Sequence, residues 1–154
     1  EKMNKLKEAV PGISITTDII VAFPGETEEQ FQDTIKLVKT IGFDGAYTFI
    51  YCPRAGPPAA TYENKLTEKE KKNRLLALND VINEYTALGH KRFEGEIVEV
   101  LVDGLSKQNE GMYSGYTRHN MLVNFEADPS YVGKIVNVKV NKAFTWHLLG
   151  EIVK

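Results

Sequence analysis

The spacing of apolar side chains divides the chain into a part that alternates helix with strand and a part made of strands alone. Residues 1–10 carry a helical pattern that Pro11-Gly12 ends in a turn. Residues 13–23 are β-branched and almost wholly apolar, which predicts a strand buried on both faces, as in parallel α/β sheets. Pro24-Gly25-Glu26 breaks that strand. Thr27-Glu28-Glu29-Gln30 then has the form of a capping box, whose side chains satisfy helix N–H groups that lack carbonyl partners, so a helix starts near Glu28. Phe31, Ile35, Val38 and Ile41 share one face of it, Gly42 stops it, and residues 46–51 form the next apolar strand. Strand, helix, strand in that order predicts a right-handed parallel βαβ unit whose two post-strand loops open on the same edge of the sheet.

Residues 52–66 contain Pro53, Gly56, Pro57 and Pro58, which forbid regular structure over most of the stretch, and loops of this length are commonly functional. Thr67-Glu68-Lys69-Glu70 is a second capping box. Leu75, Leu78, Ile82 and Tyr85 continue at helical spacing, so a long helix runs to about His90. From Phe93 onward the period becomes two, in residues 97–102, 135–140 and 147–153. Several short strands in this stretch predict a small closed or sandwich-like β-domain. The boundary falls near residues 91–93, giving domains 1–91 and 92–154.

The 154 residues are 42% hydrophobic and 26% charged, the balance of a globular protein with room for one domain or two small ones. The longest apolar run, residues 19–23, is far shorter than the roughly 20 residues that span a bilayer. No charged-then-apolar leader opens the chain, so a cytoplasmic location without a membrane partner is expected. A net charge of −2 does not by itself mark a nucleic-acid binder. Cys52 is the only cysteine, which excludes an internal disulfide, a CxxC zinc site and a cysteine-ligated cluster within these residues. His119 and His147 lack partners at metal-ligand spacing, so no metal site is read. The first residue is Glu1 and the opening helix reads as one whose start is missing, so the chain is expected to be a piece of a longer protein.

The segment Thr16-Thr17-Asp18-Ile19-Ile20-Val21-Ala22-Phe23-Pro24-Gly25-Glu26-Thr27 resembles the late-barrel strand of the radical-SAM methylthiotransferases, where TDIIVGFPGET is usual. Residues 49–60, from Phe49 through Tyr51-Cys52-Pro53-Arg54 to Ala60, are similar to the same family's FxYSPRxGTxAA loop. The family's strand-end glycine is Ala22 here, its loop threonine is Pro57, and its serine is Cys52, to which no role is assigned. The resemblance implies the closing βα units of a partial (β/α) barrel with S-adenosylmethionine across its C-terminal strand edges, near a [4Fe-4S] cluster held by a CxxxCxxC loop outside this chain. Asp18, Ile20, Ala22 and Arg54 are then the cofactor-binding candidates. Asp18 would bond the ribose or the methionine end, Ile20 and Ala22 would line the adenine, and Arg54 would clamp a carboxylate or phosphate. Against this stand a structural use of Asp18, paired within the barrel, and a surface pairing of Arg54 with Glu63. Gly25-Glu26-Thr27 reads as a capped turn rather than an anion nest.

Residues 92–154 resemble the TRAM domain, an OB-like β-barrel appended to tRNA-modifying enzymes. Gly115-Tyr116-Thr117-Arg118-His119-Asn120-Met121-Leu122-Val123-Asn124-Phe125 is similar to the GRTRxNxxVNF signature of the branch that methylthiolates isopentenylated adenosine beside the anticodon, with Tyr116 where arginine is commoner. Arg118 and Asn120 are the RNA-contact candidates. Lys107, Lys134, Lys139 and Lys142 are read either as a phosphate-facing stripe or as scattered surface lysines. Trp146 is read as a core anchor in preference to a base-stacking residue, and Phe125 as strand packing.

The family resemblance implies a methylthiotransferase acting on C2 of isopentenylated adenosine in a tRNA anticodon stem-loop. One S-adenosylmethionine yields the hydrogen-abstracting radical and another the methyl group, and two [4Fe-4S] clusters are held elsewhere in the full-length enzyme. Electron donor and sulfur source stay unassigned. No catalytic residue is placed in this chain, which alone is expected to be inactive. The alternatives are a sister enzyme acting on threonylcarbamoyl-adenosine tRNA or a ribosomal protein, and a stand-alone RNA-binding module.

Overall fold

The structure is a computed structural model and describes residues 2–107 and 109–153. The chain separates into two compact units between Tyr85 and Thr86, within one long helix. The first holds α1 (Lys2–Ala9), β1 (Thr16–Val21), α2 (Glu28–Ile41), β2 (Gly45–Ile50) and the opening of α3 (Glu68–Lys91). β1 and β2 pair in parallel, Thr16 opposite Gly45 through Val21 opposite Ile50, with α2 as the crossover.

Both capping boxes form. Thr27 accepts from Gln30 N–H at 3.2 Å while its own N–H donates to the Gln30 side chain at 3.0 Å. Thr67 and Glu70 do the same at the start of α3, where the Thr67 hydroxyl and N–H hold the Glu70 carboxyl below its ordinary value. That cap is complete above the ordinary carboxylate pKa and is lost as the pH falls through the depressed one. At the end of α2, Gly42 takes φ 63° and donates to Val38 O at 2.9 Å, the left-handed stop that glycine allows.

Ile15, Val21, Phe31, Val38, Phe43, Leu78 and Ile82 bury one face of the β1–β2 pair against α2 and α3. The other face is open, with Ile20, Tyr47 and Phe49 exposed by half or more of their surface. The expectation of a strand buried on both faces therefore fails for β1. The two helices cover one side of the sheet only, and among the described residues of this unit nothing packs on the other.

The second unit contains β3 (Ile97–Leu105), β4 (Tyr113–Thr117), β5 (Leu122–Glu126), β6 (Ile135–Ala143) and β7 (Leu148–Ile152). They close into a barrel in the order β3-β4-β5-β7-β6, with β6 pairing back to β3. Every pairing is antiparallel except β5 with β7. This is a small Greek-key barrel of the OB-like kind. β4 and β5 divide the 115–125 motif, which is a hairpin. Inward residues alternate along the strands, Val98, Val100 and Val102 on β3 and Val136, Val138 and Val140 on β6, around a fully buried Phe125.

Closure requires sharp bending, and two devices supply it. β3 and β6 each carry a register shift, between Val102 and Gly104 and between Val140 and Lys142. Gly115 on β4 and Gly150 on β7 let backbones approach. A Cβ on Gly115 would strike the Leu101 carbonyl and lie 2.7 Å from Val100 Cγ1, and one on Gly150 would strike the Lys139 carbonyl and lie 2.6 Å from Val138 Cγ1. The obstacles are backbone and β-branched side chains, which cannot swing away. Gly115→Ala is accordingly expected to cost about 3 kcal/mol or more, read as a lowered urea midpoint for loss of Trp146 fluorescence anisotropy. A midpoint equal to wild type would show that the barrel wall yields.

Candidate functional site

In the first unit the turn after β1 is built around one carboxylate. Ala22 sits at φ 59°, a left-handed conformation that costs an alanine roughly 1–2 kcal/mol and a glycine almost nothing. Its N–H donates to Glu26 Oε2 at 2.8 Å and its carbonyl accepts from Asn64 Nδ2 at 2.9 Å. Glu26 Oε2 also accepts from Arg74 Nη1 at 2.7 Å, while Arg74 Nη2 reaches Glu28 Oε2 at 3.2 Å and the guanidinium lies 5.4 Å from the Phe31 ring centre. Sequence reading missed Glu26, Asn64 and Arg74. Apart from the local Ala22–Glu26 bond, the contacts that join them are 42 to 48 positions apart, beyond any local pattern. The anion-nest alternative for residues 25–27 has no place here, because the Glu26 carboxylate already occupies the turn.

Next to this turn, on the open face of the sheet, lies a cleft of about 590 Å³. Asp18 and Ile20 of β1, Phe49 of β2, Phe23, Tyr51 and Arg54 form its walls. Phe23 packs edge-on to Tyr51 at 4.8 Å. Of the four cofactor-binding candidates the structure brings Asp18, Ile20 and Arg54 to this cleft. Ala22 is fully buried and is not one of the walls; it acts through its backbone. Among the described residues neither the Asp18 carboxylate nor the Arg54 guanidinium has a hydrogen-bond or ion-pair partner. The arrangement offers aromatic and aliphatic walls and one charge of each sign, suited to a small zwitterion carrying a flat ring. The aromatic walls were legible as residues at strand ends and went unassigned.

In the barrel, Arg118, His119, Asn120 and Met121 make the loop between β4 and β5. Thr117 organises it. Its N–H donates to Met121 O at 3.0 Å, and its hydroxyl accepts from the N–H groups of His119 and Met121, each at 3.2 Å. Asn120 takes φ 59°, the left-handed position such loops require and asparagine tolerates. Arg118 is exposed at the tip. Lys142, which lies 5.0 Å from the Phe144 ring centre, shares this end of the barrel, since the antiparallel register places the end of β6 beside the start of β3. Lys134 precedes β6 and Lys107 follows β3, both at the opposite end. Lys139 is exposed in mid-strand, opposite Glu151 and Ile97. The structure does not gather the four lysines into one stripe. Trp146 is no core anchor. It is 62% exposed in the loop between β6 and β7, because that loop projects past the barrel end and the core is already filled by Phe125 and Leu148.

Residues 91–153 match the TRAM domain family. They are a TRAM domain. The chain as a whole is homologous to proteins named tRNA-2-methylthio-N(6)-dimethylallyladenosine synthase. It is 50% identical over 154 residues to that of Bacillus cytotoxicus, covering 100% of this chain and 30% of the relative. To those of Bacillus licheniformis and Bacillus subtilis it is 51% and 50% identical over 153 residues, 99% of this chain and 30% of each relative. The chain thus spans about 30% of the length of the relatives it matches, and the methylthiotransferase resemblance read from three motif segments extends across all of it. Among the described residues no helix is long and apolar enough to cross a membrane, and no group of His, Cys, Asp and Glu could hold a metal ion.

Within the TRAM domain the loop geometry separates two uses of Asn120. Asn120→Ala is expected to lower stability by about 1 kcal/mol through its left-handed backbone, whereas Asn120→Gly stays near wild type in urea denaturation. Equal loss from both substitutions would assign the cost to the amide and not to the backbone. In the first unit, Arg74→Ala leaves the part-buried Glu26 without its cation and is expected to cost about 3 kcal/mol, read by helical circular dichroism in urea. Arg74→Lys should recover only part, since an ammonium cannot hold both carboxylates and lie on Phe31. A loss under about 1 kcal/mol for Arg74→Ala would remove the pair from the role of lock.

Proposed function

We propose that this chain is the part of a tRNA-2-methylthio-N(6)-dimethylallyladenosine synthase that forms one wall of the S-adenosylmethionine site and carries a tRNA-contacting TRAM domain, in an enzyme working in the cytoplasm on an anticodon stem-loop. Identity near 50% from end to end with proteins of that name carries the reading. The cleft supports it. Its volume suits a nucleoside-sized ligand, its aromatic and aliphatic walls suit an adenine, and Asp18 and Arg54 are complementary to the amino, carboxylate or ribose groups of S-adenosylmethionine. Bound there, one S-adenosylmethionine would supply the hydrogen-abstracting radical chemistry, the methyl group coming from another molecule. The residues of this chain bind and orient it, with the Glu26–Arg74 pair fixing the turn beside the cleft. Nothing in the described residues fits an iron–sulfur cluster, so both clusters would be held by other parts of the longer protein, and the chain alone would be inactive. The open face of β1 and β2 would then be the inward face of the barrel.

The test uses the full-length protein in cells lacking 2-methylthio-adenosine in tRNA, with nucleosides measured by mass spectrometry. Wild type restores the modified nucleoside. Arg54→Ala, which removes a charge-assisted contact, is expected to lower kcat/KM for S-adenosylmethionine roughly 10- to 150-fold. Failure of the wild-type protein to form the nucleoside would overturn the function, and an unchanged kcat/KM for Arg54→Ala would remove that residue from the site.

A further inference from the structure

We propose that Trp146 is a stacking platform for an unpaired RNA base, with Lys142 and Arg118 meeting the phosphates that flank it. The inference rests on the reading of the TRAM domain as a tRNA-binding module and names how it would grip its partner.

Three contacts hold the loop that carries the indole. Phe144 N–H donates to His147 O at 2.8 Å, closing a four-residue hairpin loop. The Phe144 and His147 rings stack at 4.6 Å with 19° between their planes. A ring nitrogen of His90 lies 2.9 Å from Phe144 O. Trp146 stands outside this arrangement. It is 62% exposed, and among the described residues its indole makes no ring contact and its N–H has no acceptor. Phe93, Tyr113 and Phe125 are spent on packing, being 9% exposed or less, while Tyr116 of β4 is 46% exposed and Phe144 38%, so the indole is the most exposed of these rings. Presenting the largest apolar side chain to water on a braced loop forgoes burial that folding would otherwise use.

The surroundings select the occupant. The parallel register that pairs Val123 with Leu148 brings the loops preceding these residues, 118–121 and 144–147, side by side at one end of the barrel. Arg118 is exposed in the first, and Lys142 stands just before the second with its ammonium 5.0 Å from the Phe144 ring centre. The nearby carboxylate of Glu94 is engaged by Ala143 N–H at 2.9 Å. An exposed indole on a loop with cations near it is the pattern that takes a splayed-out base with its phosphates. A protein partner would call for a broader apolar patch with a packed centre.

Trp146 is the only tryptophan, so its intrinsic fluorescence reports on this site alone. The 154-residue chain is titrated with an anticodon stem-loop oligoribonucleotide and with a fully paired duplex of matching length. Tryptophan emission and the anisotropy of a dye on the RNA are read together. The stem-loop is expected to quench the indole and the duplex to leave it bright. Trp146→Leu should weaken stem-loop binding roughly 5- to 150-fold, with Trp146→Phe between it and wild type. The salt slope should be unchanged in Trp146→Leu and reduced by about one phosphate contact in Lys142→Gln. Stem-loop binding that neither quenches the indole nor weakens in Trp146→Leu overturns the inference and leaves tRNA binding in place. Equal quenching by the duplex overturns the unpaired-base assignment, and absence of RNA binding by the wild-type chain overturns the inference outright. The synthase reading is judged separately, by nucleoside formation in the full-length protein.

Discussion

The first unit depends on one carboxylate held away from water. Glu26 satisfies the N–H of Ala22 at the end of β1, stands just before α2, and is gripped by Arg74 of α3, so three elements meet at a single side chain. A largely desolvated ion pair of this kind contributes little net stability over an apolar packing of the same volume, because desolvating both charges offsets their attraction. What it contributes is a unique arrangement. The turn between β1 and α2 has a left-handed alanine at its centre, and without Glu26 the Ala22 N–H would be left without its partner in a site closed to solvent. The same turn adjoins the cleft wall at Phe23, so the geometry of the cleft and the integrity of the fold are set together.

The barrel has a different controlling constraint, which is backbone proximity. Five short strands close only where two glycines remove Cβ atoms and two register shifts bend the long strands. Closure also fixes which loops meet. The one parallel pairing, β5 with β7, sends two strands the same way and so sets the loops before them at one end. Charges that are unremarkable in a chain of net charge −2 are placed together there by topology, while Lys107 and Lys134 are carried to the other end.

The parts of this architecture legible in the sequence are those written locally. The capping boxes at Thr27 and Thr67, the stop at Gly42, the period-two runs of the barrel and the motif segments each depend on residues within a few positions of one another. The parts that were not legible depend on what lies across the fold. An apolar run such as 13–23 does not reveal whether one or two layers will cover it, and β1 is covered on one side only. A tryptophan does not reveal that the core is already full. The Glu26–Arg74 pair joins residues 48 apart, and a glutamate after Pro-Gly reads as part of a turn until its partner is placed.

Motif residues also divide, once their surroundings are known, into those the backbone needs and those it does not. In the 115–125 segment Gly115 clears space for a carbonyl, Thr117 ties the hairpin loop, Asn120 takes the left-handed position, and Phe125 fills the core. Asn124 is 1% exposed and so cannot touch a ligand at the surface. Arg118 alone combines exposure at the hairpin tip with no structural duty among the described residues. In the 16–27 segment Ala22, Gly25, Glu26 and Thr27 serve the turn and the cap, with Gly25 at φ 87°, and Asp18 and Ile20 are left facing the cleft. A residue whose side chain costs solvation or exposure without serving the fold is the better candidate for function, since stability gives no reason for it to be there. By that criterion Asp18 and Arg54 in the cleft, and Arg118 and Trp146 on the barrel, outrank most of the motif positions around them.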